Sequence, residues 1–269
     1  MFRMIEKEGA KLLVSDKIVS RHGFSTRLGG FSTLEHTSSL NLAFGLGDEK
    51  EMVLKNVEAL SVALGVDAKR IISVPQIHSA DVRIVDEGDA GAGVFAQADF
   101  KCDGYATYCR DLPIGVKTAD CVPILLEARN DHGEPFAVAA IHAGWRGTAS
   151  RIAEQGVRGL LSLGAKEENI YVAIGACIDE CCYEVGADFA NEIENKLGQN
   201  YYNKFIKQKE NGSLYANIKG MNVEVLLEVG VPKENIDVCP LCTFCESELF
   251  YSHRRQKGKR GSMMSIICL

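Results

Sequence analysis

The chain has 269 residues, 46% hydrophobic and 25% charged, with a formal net charge of −6 and a pI near 5.6. That length suits a globular enzyme with one domain over residues 1–269, and the acidic balance excludes a nucleic-acid binder, because its one basic run, Arg254 to Arg260, is local. No apolar run approaches the ~20 residues of a membrane span and the N-terminus has no secretory pattern, so the expected compartment is the cytoplasm and no membrane partner is expected.

In chain order, residues 11–20 and 21–26 read as short strands before a turn at Leu28-Gly29-Gly30. A glycine-rich bend follows at 44–48. Asp48 suits a helix N-cap with Glu51 completing a capping-box-like pair, and Val53, Val57, Leu60 and Leu64 recur at helical spacing, which predicts an amphipathic helix over 49–65. The β-branched stretch 71–78 predicts a strand, with Pro75 at an edge or bulge, and 82–85 predicts another. Residues 94–101 lack periodicity and read as loop. A short strand follows within 102–107, then a long buried one over 112–126. The polar loop 129–134 separates the latter from strand 136–142, in hairpin-like pairing.

After Gly147 the period approaches four: Ala149, Ile152, Ala153, Gly156, Val157, Leu160 and Leu161 share a face, with Thr148 as the candidate N-cap. Strand 169–176, helices 187–197 and 217–230, strand 236–239 and a last strand 263–268 complete the chain. The pattern is α+β, with helices covering mixed sheets.

The stretch 117–147 carries the chemistry. Two apolar runs are each interrupted by a metal-binding side chain, Cys121 or His142. If those runs pair, thiolate and imidazole converge, and a third ligand from elsewhere makes a metal site with one open position. Among the six histidines, His22, His36, His132 and His253 sit near turns, whereas His78 and His142 lie at the ends of apolar strands, where both ring nitrogens need partners. Two hydrogen-bonded core histidines are the competing explanation, because these ligand gaps match no compact zinc signature. Trp145 and Arg146 enter the N-terminal end of a helix, a place that favours anions. Ten cysteines in a chain with no export signal are reduced thiols or metal ligands. Cys239, Cys242 and Cys245 have the doubled spacing of part of an iron–sulfur or zinc site, without an adjacent fourth cysteine; buried thiols beside a strand end are the alternative.

Gln76-Ile77-His78, the segment Thr118 to Pro123, the segment His142 to Gly147, and the segment Cys181 to Gly186 together resemble the YfiH-like family. Ser25-Thr26-Arg27, Gly29-Gly30, Ser39 to Leu42, and Phe250 to Arg255 extend the likeness over nearly the whole chain. Members are known as laccase-domain or polyphenol oxidase proteins and are described as purine nucleoside phosphorylases with adenosine deaminase activity. The resemblance implies a mixed-sheet α+β sandwich flanked by helices, and zinc held by His78, Cys121 and His142. It also implies phosphorolysis of adenosine, inosine or methylthioadenosine with phosphate as co-substrate, and deamination of adenosine.

For deamination, zinc lowers the pKa of a water toward ~7 and so supplies a nucleophile. Asp103 and Asp120 are candidates to move protons, and Asp120 is equally a candidate to orient a ligand. For the purine nucleoside and its phosphate, the candidate binding residues are Arg27, Asn41, Arg146 and Arg255, the arginines by fork-shaped recognition. His253, Ser262 and Ala176 depart from the family pattern, where Tyr, Arg and Pro are common. Copper-dependent phenol oxidation is the less expected alternative, since a lone His-Cys-His set lacks a soft axial ligand and the ligands of a multicopper relay. In a third reading, suggested by relatives in peptidoglycan quality control and by the similar fold of the cytotoxic necrotizing factor deamidases, Cys121 is a nucleophile and His142 its base, in an amidase-like hydrolase.

Overall fold

Residues 122–129, Val-Pro-Ile-Leu-Leu-Glu-Ala-Arg, are buried almost throughout. Such a run is stable as a strand only where both faces of its sheet are covered. The computed structural model describes residues 1–269 and provides that cover. Its elements in order are β1 (Phe2–Lys7), β2 (Ala10–Ser15), β3 (Arg21–Ser25), α1 (Lys50–Leu64), β4 (Val82–Ile84), β5 (Gly104–Thr107), β6 (Ile114–Thr118), β7 (Val122–Arg129), β8 (Pro135–Ala143), α2 (Trp145–Ala149), α3 (Ile152–Ser162) and β9 (Ile170–Ile174). Then come β10 (Glu184–Val185), α4 (Ala187–Leu197), α5 (Gln199–Phe205), β11 (Ile206–Gln208), β12 (Leu214–Ala216), α6 (Ile218–Glu228), β13 (Ile236–Val238) and β14 (Met263–Cys268).

A five-stranded antiparallel sheet, β1-β2-β3-β14-β6, packs on a six-stranded mixed sheet, β13-β9-β7-β8-β5-β4, in which β13/β9 and β5/β4 are the parallel pairs. Alternation along the strands assigns the layers. Leu13, Ile114, Val116 and Ile267 of the first sheet meet Tyr105, Leu125, Val138 and Ala173 of the second in the central core. Ile124, Leu126, Ile141 and Ile174 face the other way, onto α3, α4, α5 and α6. Leu12 and Ile266 face α1 through Val57, Leu60 and Leu64. The molecule is thus an α+β sandwich with helices on its outer faces. At Gly175 the two sheets approach so closely that a Cβ would stand 2.3 Å from Phe24. None of the helices is long and apolar enough to cross a membrane.

Several elements differ from the sequence reading. Asp48 does not cap α1: Glu49 is the N-cap without a side-chain bond, and Asp48 Oδ2 instead accepts from Ser32 Oγ (2.5 Å) and Asn41 Nδ2 (3.0 Å). Residues 71–78 form no strand beyond one bridge, Ile72 to Ile114. Pro75 lacks a donor there, and the Gln76 side-chain amide takes the place of a peptide group, pairing with Lys117 N and O at 2.8 Å each. The expected long strand 112–126 is two strands, β6 and β7, in different sheets. The helix after β8 begins at Trp145 with Gly144 as N-cap, so Thr148 is inside it, and Arg151 in the left-handed region separates α2 from α3. β1, α5 and the three-stranded sheet β10-β12-β11 had no signal strong enough to be anticipated; β1 is largely exposed.

Candidate metal centre

Two irregular backbone positions, each held by a carboxylate, bring the three candidate ligands together. Between β6 and β7 the chain passes from one sheet to the other, and Asp120 takes φ +91°, outside the range comfortable for a residue with a Cβ. Its carboxylate is fully engaged: Oδ1 accepts from Thr243 Oγ1 (2.6 Å), and Oδ2 accepts from Ser252 Oγ (3.0 Å) and Arg254 N (2.7 Å). Tethered in this way, the turn presents Cys121 half-buried. His142 arrives on β8, opposite Pro123 of β7. His78 lies in the loop before β4 with φ +59°.

Asp103, wholly buried immediately before β5, unites the last two. It accepts from the backbone N–H of Ile77 (3.1 Å), His78 (3.0 Å) and Ser79 (2.6 Å), from Ser79 Oγ (2.8 Å), and binds His142 Nδ1 at 2.8 Å. With Nδ1 directed at the carboxylate, His142 turns Nε2 toward the ligand cluster.

The ligand atoms of His78, Cys121 and His142 all lie within 4.8 Å of one another, with Cys121 Sγ 3.9 Å from His78 Nε2. A tetrahedral zinc with ordinary bond lengths needs S···N and N···N separations of ~3.3–3.6 Å, so small rotamer movements would close the set on an ion. Gly144 is part of the fit, since a Cβ there would stand 2.6 Å from His78 Cδ2 and 3.5 Å from Cys121 Sγ. Electrostatics also favour the ligating form of the thiol. Burial opposes the Cys121 thiolate, yet His142 and His78 outweigh it and lower the group to about 6. Burial likewise opposes an imidazolium at His142, but Cys121 and Asp103 raise it to about 9. Asp103 is held at about 2 by His142 and Ser79 against the opposing effect of burial.

Two members of the triad, His78 and Cys121, open into a cavity of about 580 Å³, with His142 buried behind them. Trp145, Arg146, Tyr183, His253, Arg254 and Arg260 line it beside His78 and Cys121. The exposed Arg146 guanidinium lies 4.2 Å over the Trp145 ring. Arg260 is half-buried and its Nε has no partner; burial lowers its pKa, while Cys121 and Asp120 act in the other direction.

Of the candidate substrate residues, only Arg146 reaches this cavity. Arg27 lies outside it: Nε and Nη2 donate to Ser38 O at 3.0 and 2.8 Å, Nη1 donates to Ser247 O, and the group sits over Tyr251. Asn41 is fully buried and spent on Ala43, Asp48 and Ser262. Arg255 donates to the carbonyls of Thr243, Phe244 and Phe250, bracing a loop. Asp103, expected to move protons, has every oxygen engaged and no exposure. Arg254 and Arg260 belonged to the basic run noticed in the sequence, but their approach to Cys121 depends on a fold-back that no local pattern encodes. Tyr183 belongs to the Cys181–Gly186 motif, whose sequence does not show that the ring faces this cavity.

The family model described as multi-copper polyphenol oxidoreductase laccase matches residues 21–269. The chain is 34% identical over 254 residues to the adenosine deaminase RL5 of an unknown prokaryotic organism, covering 94% of each protein. It is also 34% identical to the purine nucleoside phosphorylase YlmD of Geobacillus stearothermophilus, over 91% of this chain and 88% of that one. The crystal structure of the Bacillus licheniformis hypothetical protein YfiH superposes with a TM-score of 0.90 at 31% identity, covering 100% of this chain and 98% of that one.

Proposed function

The chain belongs to the multi-copper polyphenol oxidoreductase laccase family, whose relatives include proteins named for nucleoside chemistry, and we propose that it is a zinc-containing purine nucleoside phosphorylase that also deaminates adenosine. The observation that carries the reading is one cavity, lined by aromatic side chains and arginines, onto which a His-Cys-His set opens through His78 and Cys121. His78, Cys121 and His142 would hold the zinc, which supplies Lewis-acid polarisation of an oxygen. The substrates are adenosine, inosine or methylthioadenosine, with phosphate, and the catalytic unit is a single domain over residues 1–269 in the cytoplasm.

Trp145 and Tyr183 offer aromatic walls to the purine, and Arg146 and Arg260, with help from Arg254, meet the phosphate. In phosphorolysis a phosphate oxygen attacks C1′ while the bond to the purine nitrogen breaks, and the base leaves with the electron pair. Placing the phosphate and neutralising its charge is therefore the arginines' task. Asp103 acts by fixing the His142 ring and the 77–79 loop, since its oxygens have no remaining access to substrate.

Cys121, His142 and Asp103 also stand in the sequence of contacts used by thiolate hydrolases, and this favours a second reading in which Cys121 is the nucleophile and His142 its base. Two measurements separate them. With zinc bound, inosine should give hypoxanthine only when phosphate is present; release without phosphate identifies a nucleoside hydrolase and overturns phosphorolysis. Protein stripped of metal should be inactive; full amidase activity without metal would establish the Cys/His hydrolase.

A further inference from the structure

A second cluster of thiols lies where two loops run side by side. Cys181 and Cys182 are in the loop after β9, and Cys242 and Cys245 are in the loop after β13. A parallel bridge joins Cys177 to Cys242, and Thr243 N donates to Cys177 O at 2.9 Å. Lys219 Nζ, almost fully buried, reaches Asp179 Oδ2 of the first loop and Cys239 O of the second, each at 2.9 Å. The loops are thus held in register by bonds that do not involve the thiols.

The four sulfurs all lie within 4.8 Å of one another, with Cys245 Sγ 3.7 Å from Cys181 Sγ and 3.4 Å from Cys182 Sγ. A tetrahedron of thiolates around zinc at the usual bond length has edges of ~3.8 Å, so the spacing matches one ion at the centre. Polynuclear iron–sulfur clusters interpose iron and sulfide between cysteines and spread the sulfurs further apart. Backbone groups add a second feature of such sites: Asp179 N donates to Cys242 Sγ at 3.4 Å, and Cys242 and Cys245 stand at the Cys-x-x-Cys spacing of a metal knuckle.

From this geometry we propose that Cys181, Cys182, Cys242 and Cys245 form a second, structural zinc site, separate from the His78–Cys121–His142 centre. With four protein ligands it has no open position for substrate. Its role is to fasten the two loops that wall the cavity. Thr243, between two of the ligands, holds Asp120 in its left-handed conformation, and Tyr183 follows Cys182 directly. A metal at the surface thereby fixes the turn that presents Cys121.

Metal analysis of purified wild type, Cys121→Ala, Cys181→Ser and Cys245→Ser tests the assignment; the two serine variants alter exposed residues and spare the buried Cys242. Cys121→Ala should retain one zinc, and each serine variant should lose one relative to wild type. Cobalt exchanged into Cys121→Ala should give the intense charge-transfer absorption of an all-thiolate tetrahedral site. If the catalytic centre holds no metal, wild type and Cys121→Ala will both carry one zinc and Cys245→Ser none, an outcome that supports this site while rejecting the other. Metal-free Cys121→Ala, iron in place of zinc, or a disulfide joining Cys182 to Cys245 in freshly prepared protein would each overturn the proposal.

Discussion

Replacing Asp103 by Asn isolates the charge of the carboxylate with little change of shape. Five donors converge on this side chain. An amide can accept through one oxygen only, so its NH2 must face backbone N–H groups or the His142 ring. Each buried donor left without an acceptor costs ~1–3 kcal/mol, which predicts a loss of about 3 kcal/mol for the variant at pH 7. The depressed carboxyl points the same way: a group at about 2 instead of 3.8 corresponds to roughly 2 to 3 kcal/mol. Because the native value lies below the unfolded one, this stabilisation is complete above about pH 4 and disappears as pH falls through about 2. The assay is urea unfolding of chelator-treated protein, followed by the fluorescence of Trp145, the only tryptophan. The gap between wild type and Asp103→Asn should be about 3 kcal/mol at pH 7 and narrow by roughly 1 kcal/mol at pH 3. A gap below about 1 kcal/mol at pH 7, or one that widens toward acid, would refute the role assigned to the buried carboxylate.

Gly144→Ala should leave the circular dichroism unchanged while lowering zinc affinity at the triad at least about tenfold, because its methyl displaces the His78 ring; competition with a chromogenic chelator measures this. Arg146→Ala and Arg260→Ala should each raise the KM for phosphate by roughly tenfold, about 1.4 kcal/mol, with smaller changes for the nucleoside in steady-state assays. Arg255→Ala should behave differently: its three bonds to backbone carbonyls predict a stability loss of about 2 kcal/mol in urea unfolding, with the phosphate KM of the remaining folded enzyme within about twofold of wild type.

The sequence made legible those parts of the molecule whose signals are local. The last strand, residues 263–268, and the helix 187–197 have the expected bounds, the strand as a short run buried throughout and the helix through Phe189, Ala190 and Ile193 at helical spacing. The long run 112–126 was misleading for a physical reason: strands buried on both faces look alike whichever sheet they join, so the sheet change at Asp120 leaves the hydrophobic pattern intact. Asp48 and Thr148 satisfy the composition of an N-cap, yet Asp48 is drawn into bonds with Ser32 and Asn41, and Thr148 Oγ1 receives a bond from Asn222 Nδ2. Tertiary partners decided both. Arginines were the least legible side chains, because the same guanidinium that can grip phosphate can also brace a loop through its carbonyls. Only the fold separates Arg255 from Arg146 and Arg260.

The same physics explains why the triad needs so much support. His78 and Asp120 occupy the left-handed region, where strained conformations cost on the order of 1–3 kcal/mol each. Neither residue is glycine, so the conformations persist only because surrounding bonds overdetermine them. Asp103 binds the backbone at 77–79, and Thr243, Ser252 and Arg254 bind the carboxylate of Asp120. Hydrogen bonds to a charged group contribute ~1.5–3 kcal/mol apiece, enough for either network to offset its local strain. Each ligand-bearing loop is therefore shaped before an ion reaches the triad itself, by contacts that touch no ligand atom of Cys121 or His78. If those carboxylates are the support, zinc affinity should fall in Thr243→Val even though every ligand of the triad remains, and an unchanged affinity would show that Asp120 needs no tether to present Cys121.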